Sequence, residues 1–164
     1  MKIGTDSVLI GTWADCINLK NILDIGTGTG IIALMMAQRS DALITAIEID
    51  HESYKQAKEN VLNSAWTEQI FVKHISLQEF TENNTEKFDL IITNPPYFKN
   101  SFKPPDISRK IARHNDLLSF EELVYCVSKL ISENGFFSLI IPYTESDNFI
   151  NIANKHNLHY SYLK

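Results

Sequence analysis

A short apolar strand that runs into a glycine-rich turn and then an apolar helix constrains the fold of this chain more than any other feature. The strand is Asn21–Ile25, every second residue of the turn Gly26–Gly30 is glycine, and the helix spans Ile31–Arg39. Alternate glycines allow a tight turn and let backbone N–H groups approach a ligand closely. The dinucleotide fingerprint G-x-G-x-x-G fails at Ile31. The pattern therefore indicates a nucleoside cofactor without a pyrophosphate, although a glycine-rich turn can also be only a turn.

An acidic residue stands at the position where such a cofactor needs one. A second apolar strand, Ile44–Ile47, leads into Glu48, which lies 18 residues after Gly30. In doubly wound folds an acid about 20 residues beyond the glycine turn binds ribose hydroxyls. Ile49 can pack on the adenine face, whereas we interpret Asp50 as the N-cap of the next helix. The first two strand ends therefore predict a nucleoside site.

The tetrad Asn94-Pro95-Pro96-Tyr97 follows an apolar run typical of a buried strand. An amide nitrogen or an exocyclic base nitrogen is a poor nucleophile because its lone pair is delocalised. The Asn94 side-chain oxygen and the Pro95 carbonyl can each accept one of its N–H groups, and Tyr97 can stack on the planar group. The alternative is a strand that ends in a Pro-Pro turn. Together with the glycine turn and Glu48, the tetrad predicts methyl transfer to a planar amino group.

These three features, in this order, resemble the class I S-adenosylmethionine-dependent methyltransferases, and the tetrad resembles their amino-methylating branch. The stretch Gly4–Trp13, the continuation of the tetrad into Phe98, and Ala112-Arg113-His114 are similar to the bacterial adenine-N6 methyltransferases that act on valine tRNA. This resemblance covers nearly all 164 residues. It implies S-adenosyl-L-methionine as the cofactor, tRNA as the partner, and N6-methylation of an anticodon-loop adenine by direct in-line transfer, without a metal.

The resemblance also implies which residues form the site. Catalysis would fall to Asn94, Pro95 and Tyr97. The residues that would bind the cofactor are Thr5, Asp6, Asp24, Gly26, Gly28, Gly30, Glu48, Ile49 and Asn94. Of these, Asp24 would order the glycine turn through its backbone amides, and Thr5 and Asp6 would approach the methionine end. Ser76 or Gln78 would stand in for an Asp that binds the adenine amino group in many relatives.

The stretch Phe98–Leu118 is long for a connection within a compact domain, and such loops are usually functional or disordered. It holds five of the fifteen basic residues of the chain: Lys99, Lys103, Arg109, Lys110 and Arg113. Because the stretch begins beside the tetrad, we expect Phe98 to stack on an unpaired base and Lys103, Arg109, Lys110 and Arg113 to contact phosphates. The alternative is a solvated charged loop.

Composition sets no obstacle to this interpretation. A chain of 164 residues that is 44% hydrophobic predicts one domain, residues 1–164, with a sizeable core. A net charge of −5 argues against a surface coated with nucleic-acid-binding charge but allows a local patch. Cys16 and Cys126 are interpreted as buried free thiols, which favours a reducing, cytoplasmic compartment. The five histidines lack metal-ligand spacing, and no apolar run is long enough to span a membrane.

The alternating apolar segments predict an α/β fold: a Rossmann-like, doubly wound, mainly parallel sheet. The less regular expectations are a first helix capped by Asp6 and running to about Cys16, a polar loop over 81–87, a helix stopped by Asn134-Gly135, a fifth strand over 136–141 and the start of a sixth over 159–163. Relatives have a further antiparallel strand, so the chain is expected to be a fragment that lacks flanking N- and C-terminal segments.

Two rival functions remain open on the sequence alone. Enzymes that methylate a glutamine side chain in release factors present the same problem of a planar amide, but they carry a separate N-terminal helical domain. A non-catalytic nucleotide-binding or RNA-binding module would keep only the fold, and the intact tetrad argues against it. The oligomeric state does not follow from the sequence.

Overall fold

The computed structural model describes residues 4–95 and 118–161. They form a parallel sheet of five strands in the order β3-β2-β1-β4-β5. The strands are β1 (Asn21–Ile25), β2 (Leu43–Glu48), β3 (Ile70–His74), β4 (Phe88–Thr93) and β5 (Ile131–Leu139). The helices are α1 (Thr5–Trp13), α2 (Ile31–Arg39), α3 (His51–Leu62), α4 (Leu77–Asn83), α5 (Phe120–Leu130) and α6 (Ser146–Lys155), with a 3₁₀ turn at Tyr143–Glu145. The predicted doubly wound fold is confirmed.

The order of the strands places a ligand site between β1 and β4. The chain builds the sheet outward from β1 to β2 and β3, and then returns to place β4 on the other side of β1. In open α/β sheets ligands bind outside the carboxyl ends of the strands at such a reversal. The glycine turn follows β1 and Asn94, the first residue of the tetrad, follows β4, so both lie at this edge.

Two apolar cores cover the two faces of the sheet. Along β1, Ile22 belongs to the core beneath α1, α2 and α3, and Leu23 to the core beneath α4, α5 and α6. Successive side chains of a strand point to opposite faces. Both residues are fully buried, which explains why the central strands are continuous apolar runs rather than alternating ones.

Two boundaries differ from the prediction near the N-terminus and after β3. α1 begins after Gly4 and ends at Trp13, and Asp6 lies in its first turn rather than at its cap. The polar stretch predicted as a loop over 81–87 begins inside α4. Ser76 caps this helix by accepting the N–H of Glu79 at 3.1 Å. The loop prediction was therefore wrong for 81–83, because the cap lies upstream of the polar run, and is confirmed for 84–87.

The pair Asn134-Gly135 does not stop a helix. α5 already ends at Leu130, and β5 starts at Ile131. A Cβ on Gly135 would lie 2.8 Å from the carbonyl oxygen of Phe88, so glycine lets β5 approach β4 at a shift in register. The predicted sixth strand is not formed over 159–161, the part of it that the structure describes.

The predicted caps of α3 and α5 and the predicted buried free thiols are confirmed. Asp50 caps α3 by accepting the N–H of Ser53, and Ser119 and Glu122 form the predicted capping box of α5. Cys16 and Cys126 are free and buried. Among the described residues no helix is both long and apolar enough to cross a membrane.

Candidate active site

Three residues of the turn after β1 have a positive φ angle, a conformation that glycine adopts more readily than other residues. Gly26, Gly28 and Gly30 have φ angles of 66°, 58° and 80°. The N–H groups of Gly26 and Thr27 donate to the carbonyl of Ile47 at 2.9 and 3.1 Å. The turn is therefore fastened to the end of β2, and the chain reverses sharply before α2 begins.

Glu48 holds the same turn with its side chain. It is 8% exposed, and its Oε2 accepts the N–H of Gly28 at 2.9 Å. Its Oε1 accepts the N–H of Asp50, also at 2.9 Å. Because each carboxylate oxygen has a second lone pair, the group can still accept a hydroxyl. Glu48 therefore orders the glycine turn and keeps acceptor capacity for a ribose.

Asp24 lies beneath the turn and is fully buried. Its Oδ2 accepts the hydroxyl of Thr27 at 2.5 Å. Its Oδ1 has no hydrogen-bond partner among the described residues. Burial raises the pKa of Asp24 to about 7, and the bond from Thr27 only partly opposes this. The expected contact with the turn is thus made through a hydroxyl, while Glu48 holds the Gly28 amide.

Two of the glycines face different surroundings. A Cβ built on Gly26 has no atom within 4 Å among the described residues, whereas one on Gly30 would contact Ala57 of α3 at 3.5 Å. Beyond Glu48, Ile49 is 68% exposed. Open space over Gly26, an exposed apolar side chain and a buried carboxylate fit a ligand with an apolar ring and hydroxyl groups. These residues therefore fit S-adenosyl-L-methionine.

The end of β4 lies beside the end of β1, where the glycine turn begins. The Thr93 hydroxyl donates to the carbonyl of Ile25 at 2.8 Å, so the ends of β4 and β1 are joined directly before each strand turns away. Asn94 and Pro95 follow and are half-buried. The Asn94 Nδ2 donates to Ser7 Oγ of α1 at 2.9 Å. Ser7 was not among the predicted site residues, because its partner lies 87 positions away in the sequence.

The first turn of α1 shares this edge. Thr5 is exposed and Asp6 is half-buried. The Thr5 hydroxyl lies 3.5 Å from Asp6 Oδ1. Since Ser7 of the same turn accepts the amide of Asn94, these two residues lie on the turn of α1 that reaches the end of β4.

The tip of β3 carries two features that bear on the adenine end. Ser76 is occupied as the cap of α4, and the Gln78 side chain is a hydrogen-bond partner of Glu122. The His74 ring nitrogen Nε2 lies 2.9 Å from the carbonyl oxygen of Ile49, and the His74 ring centroid lies 5.2 Å from that of Tyr54. This contact of His74 with Ile49, in the turn between β2 and α3, was not predicted.

The remaining predicted site residues lie outside the described part of the chain. They are Tyr97, Phe98, Lys103, Arg109, Lys110 and Arg113. Their roles stay predictions from sequence. Among the described residues no group of three His, Cys, Asp or Glu side chains is placed to hold a metal ion.

Comparison with solved structures agrees with this fold. The chain superposes on a predicted O-methyltransferase from Agrobacterium tumefaciens with a TM-score of 0.67 and 22% identity, covering 90% of this chain and 66% of the other. At that identity the likeness concerns the fold alone.

Comparison of sequences is more specific. Residues 4–118 match the methyltransferase small domain family. The chain is 47% identical over 161 residues to the tRNA1(Val) (adenine(37)-N6)-methyltransferase of Flavobacterium psychrophilum, covering 97% of this chain and 69% of the relative. The protein of the same name from Bacteroides fragilis is 48% identical over 163 residues, covering 97% and 68%. The chain therefore belongs to the methyltransferase small domain family and, within it, to the S-adenosyl-L-methionine-dependent tRNA1(Val) (adenine(37)-N6)-methyltransferases.

Proposed function

We propose that this protein transfers a methyl group from S-adenosyl-L-methionine to N6 of an unpaired adenine in the anticodon loop of tRNA. The observation that carries the proposal is the position of Asn94. It stands at the end of β4, next to the glycine turn of β1, with its amide oriented by Ser7. The identity of 47% to a tRNA1(Val) (adenine(37)-N6)-methyltransferase supports adenine 37 of valine tRNA as the target.

The cofactor would lie across the ends of β1 and β2. Gly26 and Gly28 give it close access to the backbone, the Glu48 carboxylate accepts ribose hydroxyls, and Ile49 packs on the adenine. Thr5 and Asp6 face its methionine end. When bound, S-adenosyl-L-methionine supplies a sulfonium methyl group that an amino nitrogen can attack in line.

The protein supplies the position of that nitrogen. The Asn94 Oδ1 and the Pro95 carbonyl each accept one N–H of the adenine amino group. With both protons held, the nitrogen lone pair is directed towards the methyl group instead of into the ring. Methylation makes the amino proton acidic, so it can leave to water without a strong base. The rate gain would come from orientation and from placed acceptors.

Substrate contacts beyond the amino group are proposed from the sequence. Tyr97 stacks on the base, and Phe98, Lys103, Arg109, Lys110 and Arg113 bind the RNA around it. An unpaired adenine costs less to turn into a pocket than a base in a duplex. A tRNA substrate and two free, buried cysteines support a cytoplasmic location as part of this proposal.

The test compares Asn94→Ala with the parent protein on valine tRNA, with modified nucleosides measured by mass spectrometry. We expect single-turnover transfer to fall by about 10²–10³-fold, the cost of losing one positioned polar contact. Cofactor affinity by titration calorimetry should stay within a few-fold. Asn83→Ala, in α4, is the matched control and should behave as the parent does.

Two outcomes would contradict the proposal. Transfer by Asn94→Ala within a few-fold of the parent would show that Asn94 is only a strand-end residue. Methylation of a release-factor peptide, but of no tRNA, would assign the protein to glutamine methylation instead.

A further inference from the structure

The hydrogen bond between Ser7 and Asn94 connects two elements that are far apart in sequence. Ser7 is the third residue of α1, and Asn94 follows the last residue of β4. The Nδ2–Oγ distance is 2.9 Å, and both residues are half-buried. The bond therefore reaches the side chain to which the proposed function gives the central role.

An asparagine amide needs such a partner because its two ends have opposite hydrogen-bonding characters. The terminal torsion of Asn is broad and roughly two-fold, so the side chain alone does not choose an orientation. In the wrong orientation, Nδ2 would face the two N–H groups of a target amine. A hydroxyl can donate or accept, so the orientation of the amide follows from the role that Ser7 takes. In this structure Ser7 Oγ accepts from Nδ2, which leaves Oδ1 as the acceptor for a substrate.

The helix that carries Ser7 is itself firmly placed. The Arg39 guanidinium donates to the carbonyl of Gly11 at 2.6 Å. A Cβ on Gly11 would lie 2.7 Å from Met35 Sδ, so glycine allows α1 to pack closely on α2. Ile10 is buried in the same interface. Because α2 directly continues the glycine turn, α1 links the cofactor turn to Asn94.

We propose that Ser7 is a positioning residue for methyl transfer: its hydroxyl fixes the Asn94 amide so that Oδ1 points at the substrate amino group. This inference rests on the proposed function. Ser7 contacts neither the methyl group nor the base, and it acts only through Asn94. Its loss should therefore lower the rate of the chemical step and leave both binding steps nearly unchanged.

The kinetic test is a double-mutant cycle on valine tRNA. Ser7→Ala should lower kcat by about tenfold, the size expected for one hydrogen bond, with KM for tRNA and Kd for the cofactor within a few-fold. Ser7→Thr keeps the hydroxyl and should recover most of the rate. Thr12→Ala, on an exposed turn of the same helix, is the matched control. In the Asn94→Ala background, Ser7→Ala should have no further effect.

A second readout needs no substrate. In ¹⁵N-labelled protein, the side-chain amide signals of Asn94 can be assigned by their absence in Asn94→Ala. Ser7→Ala should shift these signals and speed their exchange with water, and Thr12→Ala should not. Unchanged Asn94 signals in Ser7→Ala would overturn the inference.

The outcomes separate this inference from the proposed function. An active parent enzyme together with a fully active Ser7→Ala would overturn the inference alone. Independent losses from Ser7→Ala and Asn94→Ala would also overturn it, because they would place Ser7 outside the path through Asn94. A parent enzyme that methylates no tRNA would refute the proposed function and, with it, any catalytic role for Ser7.

Discussion

Asp24 and Asp89 lie at opposite ends of two neighbouring strands, and their carboxylates have opposite surroundings. Asp24, near the carboxyl end of β1, is fully buried and has one oxygen without a partner among the described residues. Asp89, near the amino end of β4, accepts the N–H groups of Lys20 and Asn21 and the hydroxyl of Ser132. Hydrogen bonds to the charged form lower the pKa of Asp89, whereas burial raises that of Asp24 to about 7.

The two carboxylates therefore affect stability in opposite ways: Asp89 stabilises the folded state, and ionised Asp24 destabilises it. At the amino end, Asp89 satisfies backbone donors at the start of β1 and connects β4 to β5. At the carboxyl end, Asp24 keeps an ionisable group in an apolar core beneath the glycine turn, which costs stability. Perturbed carboxyls of this kind collect at functional sites. The carboxylate at the amino end of the sheet is thus fully hydrogen-bonded. The carboxyl group at the other end, where the cofactor would bind, is buried and costly to ionise.

Neutralising Asp24 should have the largest effect on stability. Its pKa in the folded state is raised above the unfolded value, so its contribution to stability is greatest below about pH 4 and is lost as the pH rises towards 7. Asp24→Asn mimics the protonated form. The free energy of unfolding of Asp24→Asn, minus that of the parent protein, should therefore rise by up to about 4 kcal/mol between pH 4 and pH 8. Urea unfolding followed by circular dichroism measures this difference.

The comparison between the two variants cancels contributions from other groups. Among the described residues the carboxylate of Glu48 is the charge that adds to the raised pKa of Asp24, and it remains in both proteins. A difference that did not change between pH 4 and pH 8 would mean that Asp24 titrates as an ordinary carboxyl. The contrast with Asp89 would then fail.

Removing Asp89 should have a smaller effect with the opposite pH dependence. Asp89→Ala deprives two backbone N–H groups of their acceptor, and we expect a loss of about 2 kcal/mol at pH 7. Because the folded pKa is lowered, the stabilisation is present above the unfolded value and disappears as the pH falls below about 4. The same unfolding series checks it. A variant as stable as the parent at pH 7 would show that solvent replaces these bonds.

Local patterns predicted much of the fold but not its irregular parts. β1 and α2 have the predicted bounds because an apolar strand, alternate glycines and an apolar helix each act locally. α4 was missed although Ser76 and Glu79 carry the capping signature that correctly identified α5. The bulge at Gly135 follows from a close approach to Phe88, which no local pattern reveals.

The candidate site divides in the same way. The glycine turn, Glu48 and Asn94 follow from motifs with a chemical rationale. The Ser7–Asn94 bond depends on how α1 packs, and the lack of a partner for Asp24 Oδ1 among the described residues depends on how the strands pack. Contacts across 87 positions are not visible in one sequence. The sequence thus predicts the groups proposed to touch ligands, whereas the tertiary structure is needed to find the side chains that position those groups.

The proposed cofactor site at the carboxyl end of β1 can be tested with two glycines, Gly26 and Gly30. Both have a positive φ, but a side chain added at each would point to different surroundings. Gly26→Ala and Gly30→Ala each place a side chain at positive φ, which costs about 1–2 kcal/mol, so both variants should lose similar stability. The new methyl at 30 would rest on Ala57, whereas that at 26 would enter the open space assigned to the cofactor.

We expect Gly26→Ala to weaken S-adenosyl-L-methionine binding by about tenfold, or about 1.4 kcal/mol, in titration calorimetry. The sequence also assigned Gly30 to the cofactor, but Gly30 faces Ala57 of α3, so Gly30→Ala should bind within a few-fold of the parent. Equal affinities in the two variants would mean that the cofactor does not lie over Gly26. The carboxyl end of β1 would then lose its assigned role.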